Sequence, residues 1–547
     1  MKAVHVLLAF LLGAQIGNTA AAELEVLGSE FHGTTTTSIV YADLQRQAYE
    51  ALARRREAYE KLKTPDEIQA YQQRVREFFV GQLGGFPERT PLNAKVVGAL
   101  QADGYRIEKI IFESQPNHRV TALLYLPDAK PPYPGVAVAC GHSRTAKTAD
   151  YNQRFAVAMA LHGMAALCYD PIGQGERSQI LTPEGKPRFN STTQEHSIIG
   201  VGSILLGTNT ARYRVWDGMR AIDYLASRPE INSKRIGVTG CSGGGTLSSY
   251  LMALDDRVLC AAPSCYLTTF QRLIETIGPQ DAEQNIAGQV AFGMDHPDYI
   301  LMRAPRPTLI GSTTGDYFDI QGAWDNFRQA KRLYWRLGFP ERVDLVEGEG
   351  GHGVPPGNLV AITRWMRRWL LEKDDAVTLP EIPARTEAEL LCLPEGQVLR
   401  LPNERSVFDL NIEWEKKLAE QRRELWARTP RAEAVRQVRD VLGVRRLDDL
   451  PRPKIEKMGT VQRENYSIEK LAIVPEGGVA LPALAFVPAK PDNNAYLYLH
   501  GSGKQADAAP GGPIEKLVGQ RHIVLAVDLR AIGETKAARV KEQQDDS

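Results

Sequence analysis

One glycine-rich segment presents a serine in a setting suited to nucleophilic catalysis. Residues 240–244 have the pattern G-x-S-x-G, with Ser242 at its centre. The segment directly follows the apolar run 236–239 and precedes the helix-compatible segment 246–254. A sharp turn from a strand into a helix lifts a serine hydroxyl clear of a sheet, where a base can reach it. The pattern therefore predicts Ser242 as a nucleophile, and the alternative is a purely structural glycine turn.

An acid and a histidine follow in the order expected for a Ser-Asp-His triad. Asp316 lies in a polar turn after the apolar run 308–310, and His352 lies in a Gly-rich loop after the run 343–346. In such a triad the histidine takes the serine proton, and the acid fixes the imidazole tautomer. Asp319 competes for the acid role. We favour Asp316, because an Asp directly before a long helix is a natural N-cap.

Further residues are candidates for the oxyanion hole and the substrate pocket. Backbone N–H groups must stabilise the oxyanion, and we expect them at Gly243 and at His142, in the loop after the apolar run 136–140. Three side chains are candidates to contact the substrate: Cys241, Ser143 and His196. His196 lies in the insertion 178–209 and is equally compatible with a surface loop.

Cysteine and histidine spacing gives no support for a metal site. The chain has six Cys without a C-x-x-C pair, and its ten His show no H-E-x-x-H spacing. The glycine-rich segment 170–175 lacks both the G-x-G-x-x-G register and a P-loop Lys, so we interpret it as a structural turn. We expect neither a metal nor a cofactor.

Alternating strand and helix patterns would position these residues. The continuous apolar runs 136–140 and 165–169 have strand length, and apolar residues recur at helical spacing between 215 and 225. Strands that are apolar on both faces and alternate with helices indicate a mostly parallel sheet covered on both sides. The predicted fold class is α/β.

Composition and charge exclude several classes of protein. The 547 residues carry 66 basic and 66 acidic side chains, and 43% are hydrophobic. These proportions are globular, and the zero net charge argues against a nucleic-acid surface. Residues 1–22 combine a basic start, a short apolar run and an A-x-A site, which predicts an export signal cut after Ala22. No run reaches membrane-spanning length, so we expect an exported protein, periplasmic or extracellular, without a membrane span.

Four landmarks repeat in order along the chain, which predicts a partial tandem duplication. The segment 105–110 recurs 361 residues later, and the pair Gly175 and Glu176 recurs 358 residues later. The resulting prediction of domains is a helical segment at 23–84, a catalytic domain at 85–372, a linker at 373–408 and a truncated, non-catalytic repeat at 409–547. We expect this repeat to carry no triad, because no counterpart of Ser242 follows its landmarks.

At these residues the chain resembles serine hydrolases of the α/β-hydrolase superfamily, in the acetyl xylan esterase-like and dienelactone hydrolase-like branch. The resemblance is carried by the segments 141–142, 170–178 and 235–245, by the Asp316 loop, and by residues 351–353. It implies an eight-stranded, mostly parallel sheet and carboxylic-ester hydrolysis through an acyl-enzyme, without a cofactor. Dienelactone hydrolases use a cysteine nucleophile, whereas this chain has Ser242.

The resulting prediction is a serine esterase that acts on acetyl or similar esters of carbohydrate. The substrate would be a small-molecule or polysaccharide ester. One alternative is a serine peptidase of the prolyl-oligopeptidase type, although no propeller-like repeat precedes the catalytic segment. Another alternative is a non-catalytic scaffold built from a degenerate hydrolase.

Overall fold

The computed structural model describes residues 22–278, 280–475 and 477–537. Residues 1–21 of the predicted export signal lie outside these described residues. Among the helices of the described ranges, none is both long and apolar enough to cross a membrane. The chain divides into two compact units, of which the larger consists of residues 50–428.

Strands and helices alternate along much of the chain, as the apolar runs predict. In chain order the strands are β1 (Glu30–Phe31), β2 (Thr34–Thr35), β3 (Lys95–Ala102), β4 (Tyr105–Gln115), β5 (His118–Pro127), β6 (Tyr133–Ala139), β7 (Ala165–Tyr169), β8 (Ile231–Cys241), β9 (Val258–Ser264), β10 (Thr308–Thr313), β11 (Val343–Gly348), β12 (Lys454–Gln462), β13 (Tyr466–Val474), β14 (Leu481–Pro488), β15 (Ala495–Tyr498) and β16 (Ile523–Val527). The helices are α1 (Ile39–Glu60), α2 (Pro65–Gln82), α3 (Asp150–Leu161), α4 (Thr192–Leu205), α5 (Thr210–Ser227), α6 (Gly243–Leu254), α7 (Phe270–Thr276), α8 (Gln289–Phe292), α9 (Pro297–Leu301), α10 (Ile320–Arg336), α11 (Pro356–Leu370), α12 (Glu387–Leu390), α13 (Val407–Arg428), α14 (Arg431–Leu442) and α15 (Pro513–Gly519).

The larger unit is built around one nine-stranded sheet in the order β11-β10-β9-β8-β6-β7-β5-β4-β3. Strands β6 to β11 pair in parallel, whereas β3, β4, β5 and β7 pair antiparallel in sequence. This is the predicted α/β-hydrolase fold with one strand more than predicted. The additional strand, β3, lies at an edge and is largely exposed, with Val96 at 52% and Val97 at 46%, so it lacks the apolar signal of a central strand.

Helices cover both faces of this sheet. Apolar side chains of α2, α5, α6 and α10 form one core cluster with the strands, and those of α3 and α11 form another on the opposite face. Every residue of β6 and β7 is buried, which explains why these strands are apolar on both faces. Full burial of each large apolar side chain contributes about 1.5–3 kcal/mol to stability.

Residues 373–408, predicted as a linker, instead pack within the larger unit. Leu390 is fully buried there. The backbone N–H groups of Cys392 and Leu393 donate to the carboxylate of Glu176 at 2.9 and 2.8 Å. The prolines and the missing periodicity therefore reflect an irregular arm that is held by hydrogen bonds and a few apolar side chains. The larger unit also begins earlier and ends later than the predicted catalytic domain.

The smaller unit comprises the described residues of 22–49 and 429–537. Its five-stranded sheet has the order β12-β13-β14-β16-β15, in which only β15 and β16 pair in parallel. The order and the pairing directions match those of β3-β4-β5-β7-β6. Both first hairpins also carry a bulge before a glycine, Gly98 in one and Gly459 in the other. This correspondence is what a partial second copy requires, and the duplication itself stays a prediction.

Each unit also contains a buried lysine that is enclosed by two carboxylates. In the first lysine cluster, Lys147 Nζ lies 2.6 Å from Asp170 and 2.5 Å from Glu176. In the second lysine cluster, Lys504 Nζ lies 3.0 Å from Asp528 and also contacts Glu534. Burial alone would lower the pKa of Lys147, but the two neighbouring carboxylates raise it well above its usual value. The lysine therefore stays charged and holds the turn after its strand.

Candidate active site

Ser242 lies at the turn between β8 and α6, in a backbone conformation that few residues adopt. Its φ is 59° and its ψ is −125°, and this strained geometry is typical of a nucleophile elbow. The flanking glycines are required by packing. A Cβ at Gly240 would lie 2.3 Å from the carbonyl oxygen of Ala139, and one at Gly244 would lie 2.1 Å from it. The glycine pattern thus allows the turn to press against β6.

Asp316 and His352 meet at the carboxyl ends of β10 and β11. His352 Nδ1 lies 2.8 Å from Asp316 Oδ1. The Asp316 side chain is 1% exposed, while that of His352 is 23% exposed. Asp316 Oδ1 also accepts the backbone N–H of Phe318 at 2.9 Å. The carboxylate is therefore fixed, and it orients the imidazole with Nε2 as the free ring atom.

Asp319, the competing acid, has another function in the structure. It caps α10 by accepting the N–H of Gly322 at 3.1 Å. Its two carboxylate oxygens each lie 2.9 Å from the guanidinium of Arg272, and that ion pair lowers the pKa of Asp319. His352 pairs with Asp316 and not with Asp319.

Tyr317 connects the histidine and the serine, and the sequence did not single it out. Its ring stacks on that of His352, with centroids 4.2 Å apart. Burial raises the pKa of Tyr317 to about 12, and a hydrogen bond with Ser242 opposes that rise. The tyrosine therefore lies beside both groups. Its only sequence signal is its place directly after Asp316.

His352 Nε2 has no hydrogen-bond partner within the described residues and is shielded from solvent. Ser242 and His352 therefore do not form in this conformation the hydrogen bond that the predicted triad requires. Catalytic hydrogen bonds of free enzymes are often long and tighten only when substrate binds. The unpaired Nε2 is the atom that would receive the serine proton.

The two predicted oxyanion donors flank Ser242. A Cβ at Gly141 would lie 3.4 Å from Ser242 Cβ, so the loop after β6 runs alongside the serine. Gly243 begins α6, where a backbone N–H has no partner within the helix. The ring of His142 packs directly against Gly243, because a Cβ there would lie 2.7 Å from the ring. The backbone around residues 142 and 243 is thereby held close to the nucleophile.

Cys241 and Ser143, two candidates for substrate contact, have different surroundings. Cys241 is 4% exposed and lies beside Cys265, whose thiol donates to the carbonyl of Gly353 at 2.9 Å. Contact with Cys241, together with burial, raises the pKa of Cys265, so that thiol stays neutral. Ser143 is half-buried, and its Oγ lies 3.1 Å from Thr145 Oγ1. Cys241 therefore packs beneath the elbow rather than on an open surface.

Glu283 is a buried charged residue of this region that the sequence did not single out. It is buried, and its carboxylate contacts the rings of His142 and His196 and the guanidinium of Arg214. Burial would raise the pKa of Glu283, but these three positive or polar partners lower it well below its usual value. Glu283 therefore carries a negative charge behind the oxyanion loop.

His196 belongs to this charged network and does not lie on the surface. It is fully buried, and its Nε2 donates to the carbonyl of Ile172 at 2.8 Å. Burial would lower its pKa, but Glu283 and Asp281 raise it to about 9. His196 is thus protonated at neutral pH. In this conformation it holds Glu283 and is fully buried. The alternative of a surface loop is therefore wrong for this side chain, and contact of His196 with the substrate stays a prediction.

His142, His196, Asp281 and Glu283 are close enough to act as metal donors. A fixed cation already lies among them, because Arg214 Nη1 is 3.1 Å from His142 Nε2 and 3.4 Å from His196 Nδ1. The guanidinium also bonds to Glu283. These residues therefore do not fit a metal ion in this arrangement, since a like charge occupies its place.

A comparison with known families supports the resemblance seen in the sequence. Residues 60–292, fewer than half of the chain, match the family model of acetyl xylan esterases (AXE1). YtaP of Bacillus subtilis strain 168, a protein named as a hydrolase, is 24% identical over 304 residues, which cover 53% of this chain and 96% of YtaP. A 4-O-methyl-glucuronoyl methylesterase of Wolfiporia cocos is 27% identical over 191 residues, which cover 30% of this chain and 47% of that protein.

A solved structure supports the fold. Methylesterase BT1017 superposes with a TM-score of 0.51 at 21% identity, covering 69% of this chain and 80% of that one. At this level of identity the likeness shows the α/β-hydrolase fold. The predicted fold and the predicted resemblance to acetyl xylan esterases are confirmed.

Proposed function

We propose that this chain, a carboxylic-ester hydrolase of the α/β-hydrolase fold, cleaves acetyl or similar small acyl esters of carbohydrate through a Ser242-His352-Asp316 triad. The observation that carries the proposal is the buried Asp316–His352 hydrogen bond beside the strained Ser242 turn. The match of residues 60–292 to acetyl xylan esterases supports the acetyl ester as substrate. No cofactor takes part in this reaction.

In the first half of the reaction, Ser242 Oγ attacks the ester carbonyl carbon while His352 Nε2 takes the serine proton. Asp316 stabilises the imidazolium that forms, because its buried carboxylate faces Nδ1. The carbonyl oxygen becomes an oxyanion, which the N–H groups of Gly243 and His142 would stabilise. Each such donor typically contributes about 3–4 kcal/mol to the transition state.

In the second half, the imidazolium of His352 gives its proton to the leaving sugar oxygen, and an acyl-enzyme forms on Ser242. Water then attacks the acyl carbon, and His352 takes a proton from that water. Collapse of this second tetrahedral intermediate releases the acid and returns the proton to Ser242. Every proton that moves is thus carried by one imidazole.

The network around Glu283 supports the oxyanion loop without touching the reacting atoms. Glu283 bonds to the His142 ring, and the Arg214 guanidinium lies 3.5 Å from the carbonyl oxygen of Gly243. Both residues whose N–H groups face the oxyanion are therefore held by the same charged cluster. Such positioning matters because an oxyanion hole works by being organised before the reaction starts.

The substrate class is tested by product analysis of the purified chain. We expect release of acetate from acetylated xylan and acetylated monosaccharides, and none from the Ser242→Ala variant. Equal acetate release by the variant would contradict the proposal. Cleavage of prolyl peptides instead of esters would favour the peptidase alternative.

A methyl ester of a uronic acid is a second candidate substrate. The glucuronoyl methylesterase of Wolfiporia cocos aligns with part of this chain at 27% identity, which favours this class. The two candidates give different products, because cleavage of a uronate methyl ester releases methanol and cleavage of an acetyl ester releases acetate. Measuring both products with the same enzyme preparation assigns the substrate class.

Export is part of the proposal and rests on the sequence of residues 1–22. Cleavage after Ala22 would leave Glu23 as the first residue, and its carboxylate pairs with Arg463 at 2.6 Å. We expect the protein secreted by a bacterial host to have the mass of a chain that begins at Glu23. An intact chain retained in the cytoplasm would contradict export.

A further inference from the structure

A cavity of about 640 Å³ lies between α5 and α13, and we call it the α5–α13 pocket. Aromatic walls are provided by Phe86, Trp216 and Trp414. Its volume falls within the range of about 300–1,000 Å³ that is typical of pockets for small organic ligands. The proposed reaction does not use this pocket.

Arg212 is the buried cation of the α5–α13 pocket. The residue is only 7% exposed, yet its guanidinium has no hydrogen-bond acceptor and no carboxylate partner among the residues that the structure describes. Burial lowers the pKa of Arg212, and the neighbouring Tyr213 phenol only partly opposes that shift. A buried charge without a partner is costly. An anion bound in the cavity would therefore stabilise the positive charge of Arg212.

The Arg212 guanidinium also contacts the Trp414 ring in a cation–π arrangement. The guanidinium carbon lies 4.8 Å from the centre of the Trp414 ring. A guanidinium that stacks through its face keeps its N–H groups in the plane, where they can bind a carboxylate with two parallel hydrogen bonds. A carboxylate in the pocket would therefore supply the hydrogen-bond acceptors that Arg212 lacks.

The other charged residues that line the α5–α13 pocket are Glu88, Glu413 and Lys417, and neither carboxylate pairs with Arg212. Glu413 is already bound by Arg405, with both carboxylate oxygens within 2.7 Å of its guanidinium. Lys417 lies over the Trp414 ring at 5.3 Å and pairs with no acid in the described part of the chain. Glu88, at the rim, is exposed and well solvated.

The α5–α13 pocket is separate from the candidate active site. Arg214, two residues after Arg212, contacts Glu283 and the Gly243 carbonyl behind the nucleophile. Residues at i and i+2 of a helix point in different directions. Helix α5 therefore presents one arginine to the catalytic region and another to this pocket.

We propose that the α5–α13 pocket binds a hexuronic acid, with its carboxylate paired to Arg212 and its ring against the aromatic walls. A free phosphate ion would satisfy the charge but would leave most of the volume and the apolar walls unused. A neutral sugar would fit the walls but would leave Arg212 without a partner. The inference does not depend on which ester the catalytic site cleaves.

Calorimetric titration of the intact chain tests this proposal, with D-glucuronate, D-glucose and inorganic phosphate as probes. We expect saturable glucuronate binding, at least tenfold tighter than binding of either other probe. The Arg212→Gln variant should lose at least tenfold in affinity for glucuronate. Arg423→Gln, on the exposed part of α13, is the matched control and should keep the wild-type affinity.

The proposal is overturned if glucuronate does not bind, if glucose or phosphate binds equally well, or if Arg212→Gln binds glucuronate like the wild type. Unchanged affinity of that variant would place the bound sugar elsewhere, for example in the catalytic site. The rate at which a fluorophosphonate labels Ser242 shows that each variant is folded. If Arg212→Gln does not fold, Trp414→Leu replaces it in the titration, and this variant should bind glucuronate at least fivefold more weakly than the wild type.

Discussion

The two lysine clusters occupy equivalent places in two sheets of the same strand order. In the larger unit the cluster's glutamate, Glu176, accepts two successive backbone N–H groups from the arm at 392–393. In the smaller unit Glu534 accepts two successive N–H groups from Val26 and Leu27, at 2.8 and 2.7 Å. In both units the glutamate of the lysine cluster thus binds a segment of chain that is distant in sequence.

Only the larger unit, among the described residues, continues this shared arrangement into β8 to β11. The strained serine, the acid and the histidine all follow those strands. The comparison teaches that the shared half contains the lysine cluster and the loop of the proposed oxyanion hole, whereas the three residues of the proposed triad follow the additional parallel strands. The lysine cluster should therefore matter for folding and not for the reaction itself.

The largest expected effect is that of His352, and His500 of the smaller unit serves as the comparison; His500 follows β15, the strand that corresponds to β6. His352→Ala should lower kcat for ester hydrolysis by about 10⁵-fold or more, because the proton acceptor of the proposed triad is lost. His500→Ala, in the exposed loop after β15, should leave kcat unchanged. Steady-state rates of both variants on one acetyl ester check this, and a large loss in His500→Ala would remove the functional distinction between the units.

A second comparison concerns the two acids of the loop after β10. Asp316→Asn should lower kcat by about 10⁴-fold, because the amide would present the wrong partner to His352 Nδ1. Asp319→Asn should keep kcat within a few fold, since Asn also caps helices and the Arg272 ion pair lies away from His352. Initial rates at saturating substrate decide between them. Comparable losses in both variants would contradict the assignment of Asp316.

The two buried lysines should have similar effects on stability in different places. Lys147→Met and Lys504→Met should each destabilise their own unit by about 3–5 kcal/mol, because two buried carboxylates lose their cation. Hydrogen exchange measured by mass spectrometry should show the loss of protection in β5–β7 for the first variant and in β14–β16 for the second. If hydrogen exchange in the strands around the substituted lysine stays as slow as in the wild type for either variant, the two lysine clusters do not stabilise their units equally.

A smaller effect concerns His196, for which the smaller unit has no described counterpart. Its pKa of about 9 in the folded state exceeds the value of about 6.5 in the unfolded chain. The resulting stabilisation is complete below pH 6.5 and is lost as the pH rises through 9, and it amounts to about 3 kcal/mol. Thermal unfolding midpoints between pH 6.5 and 9.5 should fall less in His196→Gln than in the wild type. His500→Gln should behave like the wild type, and parallel curves for all three proteins would exclude this role of His196.

Much of the sheet and the pairing of Asp316 with His352 could be predicted, because those features have local signals. A buried parallel strand is apolar along its whole length, and the elbow at Ser242 needs glycines wherever a Cβ would strike the backbone of β6. Asp316 and His352 follow from the order in which strands end in polar loops. The same strand signals also repeat, at a nearly fixed offset, in the smaller unit.

The remaining parts depend on contacts that leave no local pattern. Glu283 lies in an insertion without periodicity, and its role arises only when folding brings it to Arg214 and His196. The arm at 373–408 resembles a linker in sequence, because it is held mainly by backbone N–H groups bound to Glu176. Arg212 has no distinguishing signal in the sequence, because nothing there shows that its side chain becomes buried without an acid partner.

The central claim is that the serine chemistry belongs to the larger unit alone and is activated by His352. Labelling with a fluorophosphonate probe, followed by peptide mapping, measures this directly. We expect one labelled serine, Ser242, with labelling abolished in Ser242→Ala and strongly slowed in His352→Ala, while Ser502 in the smaller unit stays unlabelled. Label on Ser502, or undiminished labelling of the Ser242→Ala protein, would contradict the account.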